Sequence, residues 1–196
     1  MPANYDQIAP RYDKSIAPLE RWFLTNLRRE AIAALPSDAR ILELGAGTGM
    51  NFAHYDPKMR GVATEPSTEM IRIAATKPRP GRLSLAQNCA ERLPFENQSF
   101  DAAIATLVMC SVKSPEVVFG ELRRVVRPAG TISLVEHVRP DGLLGYFFDL
   151  LNVLTVRIAD DHFNRRTVEL AGAAGLKVTK RRKVGFGIIN VITCEV

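Results

Sequence analysis

At 196 residues the chain is long enough to bury one substantial core and short for two. Its 46% hydrophobic and 24% charged residues exclude wholesale disorder, and three scattered cysteines (Cys89, Cys110, Cys194) exclude a disulfide framework or a cysteine metal site. A net charge of +5 and a pI near 9.3 admit three exteriors: one that meets nucleic acid, one that meets an anionic membrane, and a merely basic one.

The basic residues concentrate at Lys177, Lys180, Arg181, Arg182 and Lys183 without the aromatic interleaving of single-strand nucleic-acid binders, so no nucleic acid is expected as partner. The N-terminus has no basic stretch followed by an apolar core and cleavage site. The expected setting is therefore cytoplasmic, with peripheral contact at the inner membrane surface as an extension.

In chain order, residues 15–35 read as an amphipathic helix, because Leu19, Phe23, Leu27, Ala31 and Leu35 recur four apart until Pro36. Arg40–Leu44 reads as a buried strand stopped by Gly45, residues 61–64 as a second and 83–86 as a third. Between the last two lies a helix over 67–77, closed by Pro78 and Pro80. Residues 100–108 are apolar enough for a central strand and 115–126 form a striped helix. A turn at Arg127–Gly130 precedes a strand at 131–135. A helix over 166–174 and strands around 176–183 and 188–196 complete the pattern.

Strands alternating with helices predict an α/β fold: a doubly wound, Rossmann-like sheet, mainly parallel with an antiparallel C-terminal strand and helices on both faces. One domain spans 1–196, with a helical cap at 1–36, a cofactor-binding core at 37–135, an acceptor lid at 136–165 and a C-terminal helix and strands at 166–196. In such sheets ligands bind at the loops that follow the strands.

The first of these loops is Glu43-Leu44-Gly45-Ala46-Gly47-Thr48-Gly49. Its glycines permit a sharp turn and close approach of a ligand to the backbone. Its G-x-G-x-G spacing differs from the G-x-G-x-x-G of dinucleotide turns, and Glu43 would repel a pyrophosphate. A cationic ligand such as S-adenosylmethionine suits the carboxylate, although a merely tight strand-to-helix turn has the same glycines. Glu65 ends the next strand, where a carboxylate either holds ribose hydroxyls or complements a helix dipole.

Ile41–Gly49, then Glu65, Ala90-Glu91-x-Leu93-Pro94-Phe95, Ser99-Phe100-Asp101 and Leu122-x-Arg124-Val125-x-Arg127-Pro128-x-Gly130, preceded by Tyr5-Asp6-x-Ile8-Ala9-x-x-Tyr12-Asp13, form an ordered series over nearly the whole chain. The series resembles class I S-adenosylmethionine-dependent methyltransferases, on the branch of the ubiquinone and menaquinone C-methyltransferases. The resemblance implies that Gly45, Ala46, Gly47 and Gly49 pass the methionine part of the cofactor together with Glu43, and that Glu65 holds the ribose. Pro66 and Met70 belong to the same set, Cys89, Ala90 and Glu91 lie by the adenine, Thr106 and Leu107 flank the sulfonium, and Tyr5 and Tyr12 close over the site. The chain departs from its relatives at Cys89, where many carry an Asp that contacts the adenine amine, at Glu65, where Asp is commoner, and at Ala129, where Gly is commoner.

The acceptor is expected to meet residues 136–165. This stretch opens with Glu136-His137-Val138, carries an apolar run from Gly142 to Ile158 and closes with Asp160-Asp161-His162-Phe163-Asn164-Arg165-Arg166. The run is short for a membrane span and is interrupted by Asp149 and Asn152, so it reads either as a core helix or as a lid over a lipophilic acceptor. His137 and His162 are candidates for taking a proton from the acceptor, and Tyr12 is the further catalytic candidate, for orienting an amine as Tyr5 and Tyr146 could. Tyr146, Asn164, Arg165 and Arg166 are candidates for binding it, the arginines through a lipid phosphate. Cys110 reads as a small buried residue.

Similarity to members described as phosphatidylethanolamine N-methyltransferase-like and to thiol methyltransferases implies a phospholipid amine as the favoured acceptor. A thiol or a quinone-type carbon is the alternative, and a non-catalytic cofactor-binding protein is the alternative from another class.

Overall fold

The computed structural model describes residues 3–138 and 165–196, with side chains from Tyr5 onward. Seven strands form one sheet: β1 (Arg40–Leu44), β2 (Arg60–Glu65), β3 (Arg82–Gln87), β4 (Phe100–Thr106), β5 (Val126–His137), β6 (Lys177–Val184) and β7 (Ile189–Glu195). Their order is β3-β2-β1-β4-β5-β7-β6. β1 to β5 pair in parallel, while β7 pairs antiparallel with both β5 and β6, so β6 again runs in the sense of β5. The expected mainly parallel sheet with an antiparallel C-terminal strand is therefore found. The reversal of strand order between β1 and β4 places a ligand crevice at their C-terminal ends.

The helices are α1 (Ala3–Leu19), α2 (Thr25–Ala33), α3 (Thr68–Thr76), α4 (Pro115–Val125) and α5 (Thr167–Ala173). Two apolar cores account for the buried central strands. One gathers Phe119, Leu122 and Ala171 from α4 and α5 against Leu42, Leu44 and Leu134 of the sheet. The other gathers Leu27, Ala31 and Ala74 from α2 and α3 against Ile41, Ala63 and Ile104. Neighbouring residues of β1 and β4 enter opposite cores, as the two-residue period of a strand requires.

Two local expectations are corrected. The helix expected at 15–35 starts at Ala3 and is interrupted by a π-turn at Glu20–Leu24. The wider turn shifts the stripe by one position, so Leu24 is fully buried while Leu19 is left 44% exposed. The turn expected at Arg127–Gly130 lies within β5. Phe100 pairs with Val126 and Ala102 with Thr131, so the extra residues bulge out of register. Ala129 takes φ +58° there and donates its N–H to the carbonyl of Val196.

Gly61 shows what the sheet demands of its sequence. Its φ is +145°, and a Cβ would lie 1.9 Å from the carbonyl oxygen of Ile41, its partner in β1. The clash is with backbone, so β1 and β2 would have to separate. Gly61→Ala is expected to cost on the order of 4 kcal/mol of stability. Urea denaturation checks this, and an unchanged midpoint would contradict it.

Candidate cofactor site

The end of β1 carries Glu43, 1% exposed, and the turn behind it. Gly45, Gly47 and Gly49 all have positive φ, for two different steric reasons. A Cβ on Gly45 would meet Val108 at 2.6 Å and one on Gly49 the Phe52 ring at 2.5 Å, so these positions are closed by protein. A Cβ on Gly47 would meet nothing within 4 Å, so its free face looks into open space. Its N–H donates to Glu65 Oε2 at 2.9 Å.

Glu43 sits at the end of a buried polar chain. Asn51 Nδ2 donates to Glu43 Oε1 at 2.9 Å and to Thr106 Oγ1 at 3.2 Å. Arg28 donates to Asn51 Oδ1 at 3.0 Å, and its Nε donates to both oxygens of Glu20 at 2.9 and 3.1 Å. The π-turn turns Glu20 inward to meet Arg28. Glu43 Oε2 has no hydrogen-bond partner among the described residues. The buried Tyr55 hydroxyl is likewise without a hydrogen bond of good geometry, yet it lies close enough to Glu43 for the two groups to shift each other's pKa. Burial pushes Glu43 up to about 7, only partly offset by its polar neighbours and the Arg28 charge. A buried carboxylate with one unsatisfied oxygen, at the head of the turn that carries the open Gly47, fits the ammonium end of an amino-acid-bearing cofactor.

Glu65 ends β2. Its Oε1 accepts the Ser67 N–H and its Oε2 that of Gly47. Burial raises its pKa, and those two amide bonds oppose the rise. Pro66 is exposed and Met70 is buried in the first turn of α3. After β3, Ala90 is buried and Cys89 exposed. Asn88 Oδ1 is buried without a partner among the described residues. Glu91 accepts the Lys113 N–H at 2.9 Å, joining this loop to the one after β4. Arg124 and Glu121 of α4 hold the same loop, through the carbonyls of Leu93 and Phe95 and the N–H of Leu93.

After β4, Thr106 is buried and Leu107 takes φ +58°, a strained geometry for a branched side chain. The following amides of Val108 and Met109 donate to the two oxygens of Glu136 at 2.9 and 3.2 Å. Cys110 is buried in this loop, beyond the end of β4. His137, half-buried, is the last residue of β5.

α1 lies across this edge. Asp6 accepts from the Ser67 hydroxyl and the Glu69 N–H at the start of α3, and these bonds hold its carboxyl below the usual range. Asp13 accepts from Thr48 Oγ1 at 2.6 Å and pairs with Lys77 at 2.6 Å. Tyr12 is thereby brought near Arg28 and Cys110, and burial raises its hydroxyl pKa. It also borders a cavity of about 600 Å³ along α1, with Gln7, Ile8 and Arg11. Tyr5, half-buried, sits about two turns earlier on α1.

Of the acceptor candidates, Arg165 donates to the Val112 carbonyl at 2.9 Å, and Arg166 is exposed ahead of α5. Tyr146, His162 and Asn164 lie outside the described residues, as does most of the stretch expected to act as a lid. The structure thus brings Glu43, Gly47, Glu65 and Thr106 together. It adds Arg28 and Asn51, which the sequence reading does not name, and gives Asp6, Asp13 and Glu136, named there only within motifs, specific partners.

A family model described as a methyltransferase domain matches residues 42–134. A ubiquinone/menaquinone biosynthesis C-methyltransferase from Syntrophotalea carbinolica is 34% identical over 146 residues, covering 69% of this chain and 60% of that one. A thiol S-methyltransferase from Homo sapiens is 30% identical over 137 residues, covering 67% and 55%. The crystal structure of an S-adenosylmethionine-dependent methyltransferase from Thermotoga maritima superposes with a TM-score of 0.75 at 22% identity, covering 100% of this chain and 99% of that one, which speaks to the fold. The chain spans little more than half the length of these curated relatives.

The chain belongs to the class I S-adenosylmethionine-dependent methyltransferases, and S-adenosylmethionine is the cofactor that the site fits. Within that class it falls on the branch of the ubiquinone/menaquinone C-methyltransferases. Among the described residues, no helix is long and apolar enough to cross a membrane.

Proposed function

We propose that this chain methylates a lipophilic acceptor, with a phospholipid amine such as phosphatidylethanolamine ahead of others. The observation that carries the methyl-donor site is the buried Glu43 carboxylate, with one oxygen unsatisfied, at the head of the turn whose Gly47 faces open space. S-adenosylmethionine supplies an electrophilic methyl group. Glu43 holds its ammonium, Glu65 the ribose, and the loop Cys89–Glu91 the adenine. Thr106 and Leu107 border the sulfonium, while Tyr5 and Tyr12 shield it from water.

The apolar run Gly142–Ile158 follows β5, whose end lies at the same edge of the sheet, and supports a lipophilic acceptor. An amine or thiol must lose a proton before it attacks. His137 and His162 are the groups proposed to receive that proton, Tyr12 is proposed to orient the acceptor through its protonated hydroxyl, and fixing the acceptor in line with the methyl group supplies much of the rate. Tyr146, Asn164, Arg165 and Arg166 are proposed to bind the acceptor. The relatives that are thiol S-methyltransferases and quinone C-methyltransferases favour a second reading, in which a thiol or a ring carbon is methylated.

Incubation with S-adenosylmethionine carrying a labelled methyl group and phosphatidylethanolamine vesicles is expected to move label into the organic phase. Unlabelled lipid alongside turnover of an alkyl thiol or a quinone precursor would replace the first reading with the second.

A further inference from the structure

We infer that the edge of the sheet carrying the cofactor site docks on an anionic lipid surface, through Trp22 and Phe186 with the basic strand β6 beside them. The inference deepens the lipophilic-acceptor reading by naming the face at which such an acceptor would enter.

Phe186 is 93% exposed and Trp22 82% exposed, the two most exposed of the large apolar side chains in the described residues. Burial in a core does not explain either residue, and large exposed apolar groups mark contact surfaces. Phe186 stands between Gly185 and Gly187 at the tip of the β6–β7 hairpin with φ +56°. That conformation favours glycine or asparagine, so a phenyl ring is held there against local preference.

The two aromatics belong to one surface. A Cβ built on Gly185 would lie 3.7 Å from the Phe23 ring, which puts the hairpin tip against the π-turn that carries Trp22. Lys180 and Arg182 of β6 reach Glu30 of α2 and tie the strand to the same helix.

This surface faces the acceptor side. β6 runs parallel to β5, so its C-terminal end and the tip after it sit at the edge where β1 to β5 also end. The Val138 N–H, at the start of the stretch expected to meet the acceptor, donates to the Ile188 carbonyl at 2.9 Å.

Charge selects the occupant. Five of the chain's 26 lysines and arginines fall within residues 177–183, and Arg21 is exposed beside Trp22. Lysines on an edge strand also prevent strand addition. That role does not require exposed aromatics at the strand's end, whereas aromatics beside basic residues match an anionic interface.

Trp22 is the only tryptophan, so it reports directly. On vesicles of phosphatidylcholine with phosphatidylglycerol its emission should move to shorter wavelength and be quenched by brominated acyl chains. Both effects should weaken in high salt and be small on phosphatidylcholine alone. Phe186→Asn suits the turn and so keeps the hairpin. It is expected to lower partitioning about tenfold, the loss of one phenyl ring from the interface. Unchanged Trp22 emission on anionic vesicles, in protein that binds S-adenosylmethionine, overturns the inference. Equal binding to neutral vesicles, or an unaffected Phe186→Asn, overturns it as well.

Failure of the acceptor reading looks different. Vesicle binding without lipid methylation sinks only that reading, and methylation of detergent-dispersed lipid without vesicle binding sinks only the docking surface.

Discussion

Glu43→Gln is expected to weaken S-adenosylmethionine binding about 100-fold and, above pH 7, to stabilise the cofactor-free protein. The first effect follows from removing a buried carboxylate opposite a cationic ammonium, a loss of about 3 kcal/mol. The second follows from linkage. Glu43 titrates near 7 in the fold against 4.5 unperturbed, because burial disfavours its charge. Its contribution to stability is therefore fully present below pH 4.5 and is lost as pH rises through 7. Fully ionised, it costs roughly 3 kcal/mol.

Glutamine keeps the acceptor for Asn51 and cannot ionise, so a rise in Tm of about 6–12 °C at pH 8 is expected, with little change at pH 5. Cofactor affinity of the parent should climb with pH through 7, and that of the variant should be flat. Calorimetry at pH 6 and 8 reads the binding, and a thermal melt reads the stability. A variant affinity within threefold of the parent would mean that the carboxylate does not face the ammonium.

Arg28→Met should cost both stability and cofactor affinity. Arg28 is 5% exposed and Glu20 8% exposed, and the substitution leaves the Glu20 carboxylate buried without its cation. Breaking a buried pair from one side costs about 3–5 kcal/mol. The double variant Glu20→Gln with Arg28→Met removes the stranded charge and should recover much of that stability. It should not recover cofactor affinity, because Asn51 still lacks the Arg28 donor that orients it toward Glu43. Denaturation and cofactor titration of the single and double variants separate these effects. Recovery of both together would show that the chain from Glu20 to Glu43 has no positioning role.

Period and composition made the sheet legible. A short apolar run closed by Gly45 located β1 and the apolar stretch from Phe100 located β4, because a strand buried on both faces needs little polar alternation. The glycine turn was legible because Gly47 and Glu43 answer to a ligand rather than to packing. The long N-terminal helix was misjudged because a π-turn adds one residue to the period and leaves no mark on hydrophobicity. Arg28 was missed because an arginine among charged helical residues looks solvated, and its burial depends on Glu20 turning inward and on Asn51, 23 residues away. Asp6 and Asp13 gain their meaning only when α1 folds back across α3 and the glycine turn, contacts no local pattern encodes.

The bonds from Glu136 to the amides of Val108 and Met109 bear on protein engineering. They lash the loop leaving β4 to the end of β5, and Leu107 is held in its strained conformation between them. A chimera whose imported segment includes the end of β5, and so replaces Glu136, would inherit a mismatch unless residues 107–112 travel with it. The two loops therefore form one mechanical unit, and exchanging the end of β5 alone should disturb the cofactor side even though it never touches it.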